Sequence, residues 1–264
     1  SYDTVNKKKF TLMNQRINST NQGLVSVIIP SYNRRDKLKR AIKSVQDQQY
    51  DHIEIIIVET PTRNTNVTPF TNSLLDIDIR INHIITERTT GPSEARNIGI
   101  READGEYIAF LDDDDEWLPS KIPKQLKKLS ESPDNVKASF TGNKKIGHDG
   151  TVINSYIPCL PPDPVQYQLL WNIGTFSMLM IHASVPETVG KLDTNLSRCE
   201  DQDYCLRISR EYEFCIVDEK LVRKHTGNYE QLGNKYEPAE QAYSYFVNKH
   251  QQLASTKGCH SEMR

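Results

Sequence analysis

No stretch of this 264-residue chain is apolar for the roughly 18 residues that a membrane-crossing helix needs. Its opening residues are polar, with Lys7, Lys8 and Lys9 followed by Asn14 to Asn21, and include no apolar segment of the kind that directs secretion. The expectation is a chain that neither spans a membrane nor enters an export route by such a signal. There is also no surplus of one charge: 33 basic residues face 35 acidic ones, and no block of Lys or Arg makes a basic face for DNA or RNA. Nucleic acid is therefore not an expected partner. Cysteines are few, and Cys159, Cys199, Cys205, Cys215 and Cys259 form no CxxC pair of the sort that builds a zinc ribbon or a redox site. An odd number of unpaired thiols fits a reduced, cytoplasmic setting.

What is present is an alternation of strand and helix. After the polar stretch 1–23, Leu24 to Ile29 forms an apolar run ended by Pro30, and Leu38, Ala41, Ile42 and Val45 then recur at helical spacing. Ile53 to Val58 is a second β-branched run, and Ile79 to Ile85 a third. Ser93 to Glu102 reads as a helix, and Asp104-Gly105 turns the chain into Tyr107 to Leu111. This pattern predicts an α/β fold with a mostly parallel central sheet flanked by helices.

The fourth strand ends in Asp112-Asp-Asp-Asp115, and open α/β sheets bind ligands at the carboxyl ends of their strands. Adjacent carboxylates raise one another's pKa, a cost that a divalent cation removes. Mg²⁺ or Mn²⁺, bound through one or two carboxylates plus substrate phosphates, suits such a set. Beyond Pro119 the pattern is less regular. It offers a lysine-rich helix near 120–130, strand candidates near Ala138, Thr151 and Thr175, a helix from about Glu200 to Arg210 and a strand from Phe214 to Val222. A terminal helix is marked by Ala239, Ala242, Phe246 and Leu253.

Over about Val25 to Asn228 the residues resemble the family-2 glycosyltransferases of the GT-A fold. Three segments carry the likeness. Val27-Ile-Ile-Pro-Ser-Tyr-Asn-Arg34 is similar to the first strand and donor loop, Gly91-Pro-Ser-Glu-Ala-Arg-Asn-Ile-Gly99 to the arginine helix, and Tyr107-Ile-Ala-Phe-Leu-Asp-Asp-Asp-Asp-Glu-Trp117 to the Asp-x-Asp segment. The resemblance implies one domain over 24–225, with a nucleotide-sugar half (24–118) and an acceptor half (119–225), followed by a helical tail (226–264).

It also implies roles. Asp112 and Asp114 form the Asp-x-Asp pair, with Asp114 the direct metal ligand, and Asp113 lies near the ribose. Pro30 and Tyr32 border the base, Arg34 belongs to the donor loop, and Arg96 pairs with the diphosphate or with a clustered aspartate. His225 matches a position near the metal. Cys199-Glu-Asp-Gln-Asp203 is similar to the family's Glu-Asp motif, which makes Asp201 the catalytic base that takes the acceptor hydroxyl's proton. One departure stands out: Glu59-Thr60-Pro61 replaces the usual Asp-Gly beside the base, so the choice among uracil, guanine and thymine stays open, with UDP preferred.

The implied activity is an inverting, Mn²⁺- or Mg²⁺-dependent transfer from a nucleotide-diphosphate sugar to a glycan or lipid-linked acceptor in polysaccharide biosynthesis. The implied location is the cytoplasm or the inner face of the membrane, reached by peripheral contact. Two rivals are a nucleotidyltransferase, which would need a Gly-rich loop where Pro30-Ser-Tyr-Asn33 stands, and a non-catalytic sugar-nucleotide-binding module, which would not need Asp201.

Overall fold

The computed structural model describes residues 21–60, 68–74, 80–87, 90–226 and 239–263. Most of the N-terminal stretch 1–23 lies outside them, as do Pro61, Gly227 and Asn228. The chain begins with β1 (Val25–Tyr32), α1 (Arg35–Gln46), β2 (Ile53–Thr60), α2 (Thr68–Leu74), β3 (Arg80–Ile85), α3 (Pro92–Glu102) and β4 (Tyr107–Phe110). It continues through β5 (Asp115–Trp117), α4 (Lys121–Ser130), β6 (Val136–Ile146), β7 (Val152–Tyr156) and α5 (Pro164–Leu170). After these come β8 (Leu179–His182), α6 (Val185–Val189), α7 (Glu200–Glu211), β9 (Glu213–His225) and α8 (Ala239–Thr256).

One sheet holds all of these strands in the order β3-β2-β1-β4-β8-β6-β9-β5, with β7 added to the outer part of β6. The first four strands are mutually parallel. Beyond them the sheet is mixed: β8 runs antiparallel to both β4 and β6, β9 is parallel to β6, and β5 is antiparallel to β9. The expected parallel sheet is thus the first half, and the irregular half is where directions alternate.

The apolar runs become central strands because they are covered on both faces, and every residue of β2 is buried. Leu38, Ala41, Ile42 and Val45 are the buried stripe of α1, as their spacing predicts. Helix α3 lies close against β1 at Gly99, where a Cβ would come within 2.4 Å of the Ile28 side chain. The strand expected near Thr175 begins four residues later, at Leu179, because residues 176–178 first form a 3₁₀ turn. Helix α5 carries no apolar stripe long enough to announce itself in sequence, and is started by Asp163, whose side chain accepts from the Gln166 N–H at 2.9 Å.

Candidate active site

Strand order reverses at β1: the chain builds outward through β2 and β3, then returns to lay β4 on the other side. Such a reversal leaves a crevice at the strand ends. Pairing between β1 and β4 stops at Ile28 and Phe110, and the two chains then part. Pro30 sits just past this point, where its missing N–H leaves no ladder bond to β4 unmade. The crevice opens into a cavity of about 680 Å³ lined from one side by Pro30, Ser31, Tyr32, Arg34 and Thr60, and at its floor by Arg96 and Asp112 to Asp115. The other side is formed by Ser197 to Asp201, Lys224, His225 and Tyr243.

The strand-end aspartates are each met by a cation. Arg34 reaches Asp114 at 2.8 Å and Asp113 at 3.5 Å, and the Ser31 hydroxyl donates to Asp113 at 2.9 Å. Arg96, buried under the floor and 4.1 Å from the Phe176 ring centre, reaches Asp112 at 2.6 Å. Its other amino group lies 3.4 Å from Glu200, so one guanidinium spans the two sides of the cavity. Lys224 on β9 approaches Asp115 at 3.5 Å and donates to Thr175 at 3.1 Å.

Burial works against the charge of Asp112, but Arg96 and Lys224 outweigh it and hold that carboxyl below its ordinary range. Burial dominates at Asp113 and pushes it up to about 7, with Asp114 and Asp112 adding to the effect against Arg34. Asp115 also rises to about 7, chiefly through burial, and its Oδ2 accepts no hydrogen bond.

Across the cavity, Glu200 and Asp201 open α7. The preceding residue, Cys199, holds a left-handed backbone (φ 60°, ψ 17°), which is strained for a side chain with a Cβ and turns the first helical residues toward the cavity. Burial, reinforced by Asp201, pushes Glu200 up to about 7 against Arg96. Burial also raises Asp201, although the Gln202 backbone N–H, the Asn172 amide and Arg96 favour its charged form. A carboxyl raised in this way is better matched to receiving a proton near neutral pH than an ordinary aspartate.

Glu59, expected at the base edge, has both carboxylate oxygens taken up by neighbouring side chains. It is fully buried, with one oxygen 3.0 Å from Arg35 and the other 2.9 Å from His83, and it is not among the residues lining the cavity. The neighbouring Thr60 lines it instead. His225 is among the residues lining the cavity, with its Nε2 3.0 Å from Glu116. Sequence reasoning missed Ser31, Lys224 and Tyr243. Lys224 stands next to the recognised His225 but on a strand whose pairing with β5, which sets it opposite Asp115, has no local signature.

Among the described residues no group of three or more His, Cys, Asp or Glu is arranged to enclose a metal ion. The donor chemistry still fits a divalent cation. Carboxylates outnumber cationic side chains around the cavity, Asp115 keeps a buried oxygen without a hydrogen-bond donor, and Mg²⁺ or Mn²⁺ takes the rest of its shell from phosphate oxygens and water.

Residues 26–182, more than half of the chain, match the family model for glycosyl transferase family 2. The chain belongs to glycosyl transferase family 2. Among the curated family members, a Bacillus subtilis (strain 168) protein named for teichuronic acid biosynthesis, the glycosyltransferase TuaG, is 40% identical over 138 residues, 51% of this chain and 52% of TuaG. This family-2 chain therefore spans about half the length of that relative. Among solved structures, S. aureus TarS 1-349 in complex with UDP-GlcNAc superposes with a TM-score of 0.66 at 15% identity, covering 86% of this chain and 66% of that one. The mannosyltransferase PcManGT from Pyrobaculum calidifontis, in complex with GDP-Man and Mn²⁺, gives 0.57 at 16% identity, covering 87% and 61%. The fold of the family-2 chain is accordingly GT-A.

Proposed function

We propose that the protein is an inverting, metal-dependent glycosyltransferase that moves a sugar from a nucleotide-diphosphate donor to a hydroxyl of a glycan or lipid-linked saccharide. The observation that carries this reading is a single cavity in which the strand-end aspartates and the Glu200-Asp201 turn stand on opposite sides of Arg96. An inverting displacement needs that opposition, because the acceptor oxygen approaches C1 from the face opposite the leaving group.

In this reading Tyr32 offers a ring to the base, with Pro30 and Thr60 beside it, and Asp113 faces the ribose. Asp114 and Asp112, with His225 of the cavity lining, would hold Mg²⁺ or Mn²⁺, whose contribution is Lewis-acid neutralisation of the leaving diphosphate. Arg34 and Arg96 keep the aspartates in place and add permanent positive charge on the diphosphate side. Asp201 accepts the proton from the acceptor hydroxyl, a role favoured by its raised pKa and by the Asn172 amide that orients it. UDP is the preferred nucleotide, supported by a structural neighbour that binds UDP-GlcNAc, while another that binds GDP-Man keeps guanine as the rival.

The test is to incubate the protein with UDP- and GDP-sugars and Mn²⁺ or Mg²⁺, follow nucleotide release, and determine the anomeric configuration of the product by NMR. Release from a UDP-sugar only when metal is present, with inversion, is the expected result. Retention of configuration, or release undiminished by EDTA, would overturn the mechanism.

A further inference from the structure

The family match ends at residue 182, yet the far side of the cavity depends on a segment well beyond it. Helix α8 packs on α5 and α7 and builds a second small core from Leu169, Leu196, Leu206, Phe246 and Ala254. It also reaches the cavity itself, where Tyr243 is part of the lining and stacks beside Phe246 with ring centres 6.2 Å apart.

A polar contact joins α8 to α7 around a buried carboxylate. Asp203, with no exposed surface, accepts from His250 Nε2 at 2.8 Å and lies 2.7 Å from Lys249 Nζ through the same oxygen. Its other oxygen accepts from Arg207 Nε at 3.0 Å. Asp203 is two residues after Asp201 in the first turn of α7, and the intervening Gln202 is tied to α5 through a 2.7 Å bond to the Gln168 carbonyl. The first turn of α7 is thus held from both flanks. The turn follows the strained Cys199, whose side chain makes no capping hydrogen bond, and its internal bonds are few: the Gln202 N–H on Asp201 at 2.8 Å, the Asp203 N–H on the Cys199 carbonyl at 2.8 Å and Arg207 on Asp203.

Resting on the assignment of Asp201 as base, we propose that His250 and Lys249 are positioning residues: by gripping Asp203 they fix the first turn of α7 and so the direction in which Asp201 presents its carboxylate to the acceptor. Helix α8 is then a working part of the acceptor side. A carboxylate displaced by about 1 Å loses the alignment that proton transfer requires, while the nucleotide site on β1 and β4 is left untouched.

The experiment compares His250→Ala, His250→Gln and Lys249→Met with the unaltered chain and with Asp201→Asn. Four quantities are read: melting temperature, affinity for UDP with Mn²⁺, turnover of the nucleotide sugar found active in the nucleotide-release assay, and amide hydrogen exchange over residues 200–205. His250→Ala is expected to lower kcat about tenfold or more, leave the UDP Kd within about twofold, and speed exchange in the α7 turn alone. His250→Gln, which keeps a donor toward Asp203, should recover most of both, and Lys249→Met, at a partly exposed position, should give a smaller loss of the same kind.

Wild-type exchange in the α7 turn and wild-type kcat in His250→Ala would overturn the proposal while leaving the base assignment standing, provided Asp201→Asn is inactive. Parallel loss of melting temperature, UDP affinity and kcat in both His250 variants would reduce the contact to a structural one. Full turnover by Asp201→Asn would remove the base, and this proposal with it.

Discussion

Asp112 on one side of the cavity and the Glu200-Asp201 pair on the other are treated differently. On the β1–β4 side, Asp112 and Asp114 each have a guanidinium within 2.8 Å, and the pKa of Asp112 is held down by Arg96 and Lys224 against the pull of burial. On the α7 side, Glu200 and Asp201 are adjacent and Arg96 comes no nearer than 3.4 Å to Glu200, so burial prevails and both rise. The lesson is that burial raises these acids unless close cations outweigh it: Asp112 is held down by Arg96 and Lys224, whereas Asp113 and Asp115 on the same side rise to about 7 beside a single cation each, as Glu200 does across the cavity.

The widest separation between the two sides is expected from Asp201→Asn. Turnover should fall by about 10²–10⁴, with UDP affinity in Mn²⁺ nearly unchanged, because the base acts only as the proton leaves. In the unaltered enzyme the acidic limb of kcat against pH should lie above the ordinary aspartate range, activity rising with pH as the raised carboxyl deprotonates. A near wild-type kcat in the variant would end the contrast.

Next in size is the bridge itself. Arg96→Ala leaves Asp112 and Glu200 facing each other without their shared cation, and unfolding in urea should show a loss of about 3 kcal/mol. Arg96→Lys should recover only part of it, since one ammonium cannot span both acids. Equal stability of the Lys variant and the unaltered chain would mean that bridging contributes nothing.

A third contrast sets Asp201 against Asp203 on the same helix. Burial would raise Asp203, but His250, Arg207 and Lys249 overcome it and hold the carboxyl down at about 2. Because the folded-state pKa is depressed, the stability it contributes is present above the ordinary aspartate pKa and is lost as pH falls toward about 2. Asp203→Asn should therefore cost about 2 kcal/mol at neutral pH, a difference that shrinks as both proteins are titrated from about pH 4 to pH 2. A constant difference across that window would refute the pairing as its cause.

The smallest effect is expected on the paired side. Asp114→Asn should weaken UDP binding in Mn²⁺ by about tenfold, or about 1.4 kcal/mol, with no difference between the two proteins in EDTA. Calorimetry giving the same affinity with and without metal would remove Asp114 from metal binding.

The sequence by itself determined the β1-β2-β3-β4 half and the location of its acids. Runs such as Ile53–Val58 are buried on both faces and must be central strands, and a strand that ends in Asp112 to Asp115 puts those acids at the crevice whatever else the chain does. Helix α7 and its leading acids were also legible, from spacing and from resemblance. Tertiary structure alone decided what each acid faces. It set Glu59 between Arg35 and His83, brought Glu200 to Arg96 from 104 residues away, placed Lys224 opposite Asp115 through the β5–β9 pairing, and carried α8 onto α7. A local apolar pattern fixes an element because burial is driven by the residue's own surface, whereas an ion pair depends on where two distant elements come to rest, and no short stretch of sequence records that.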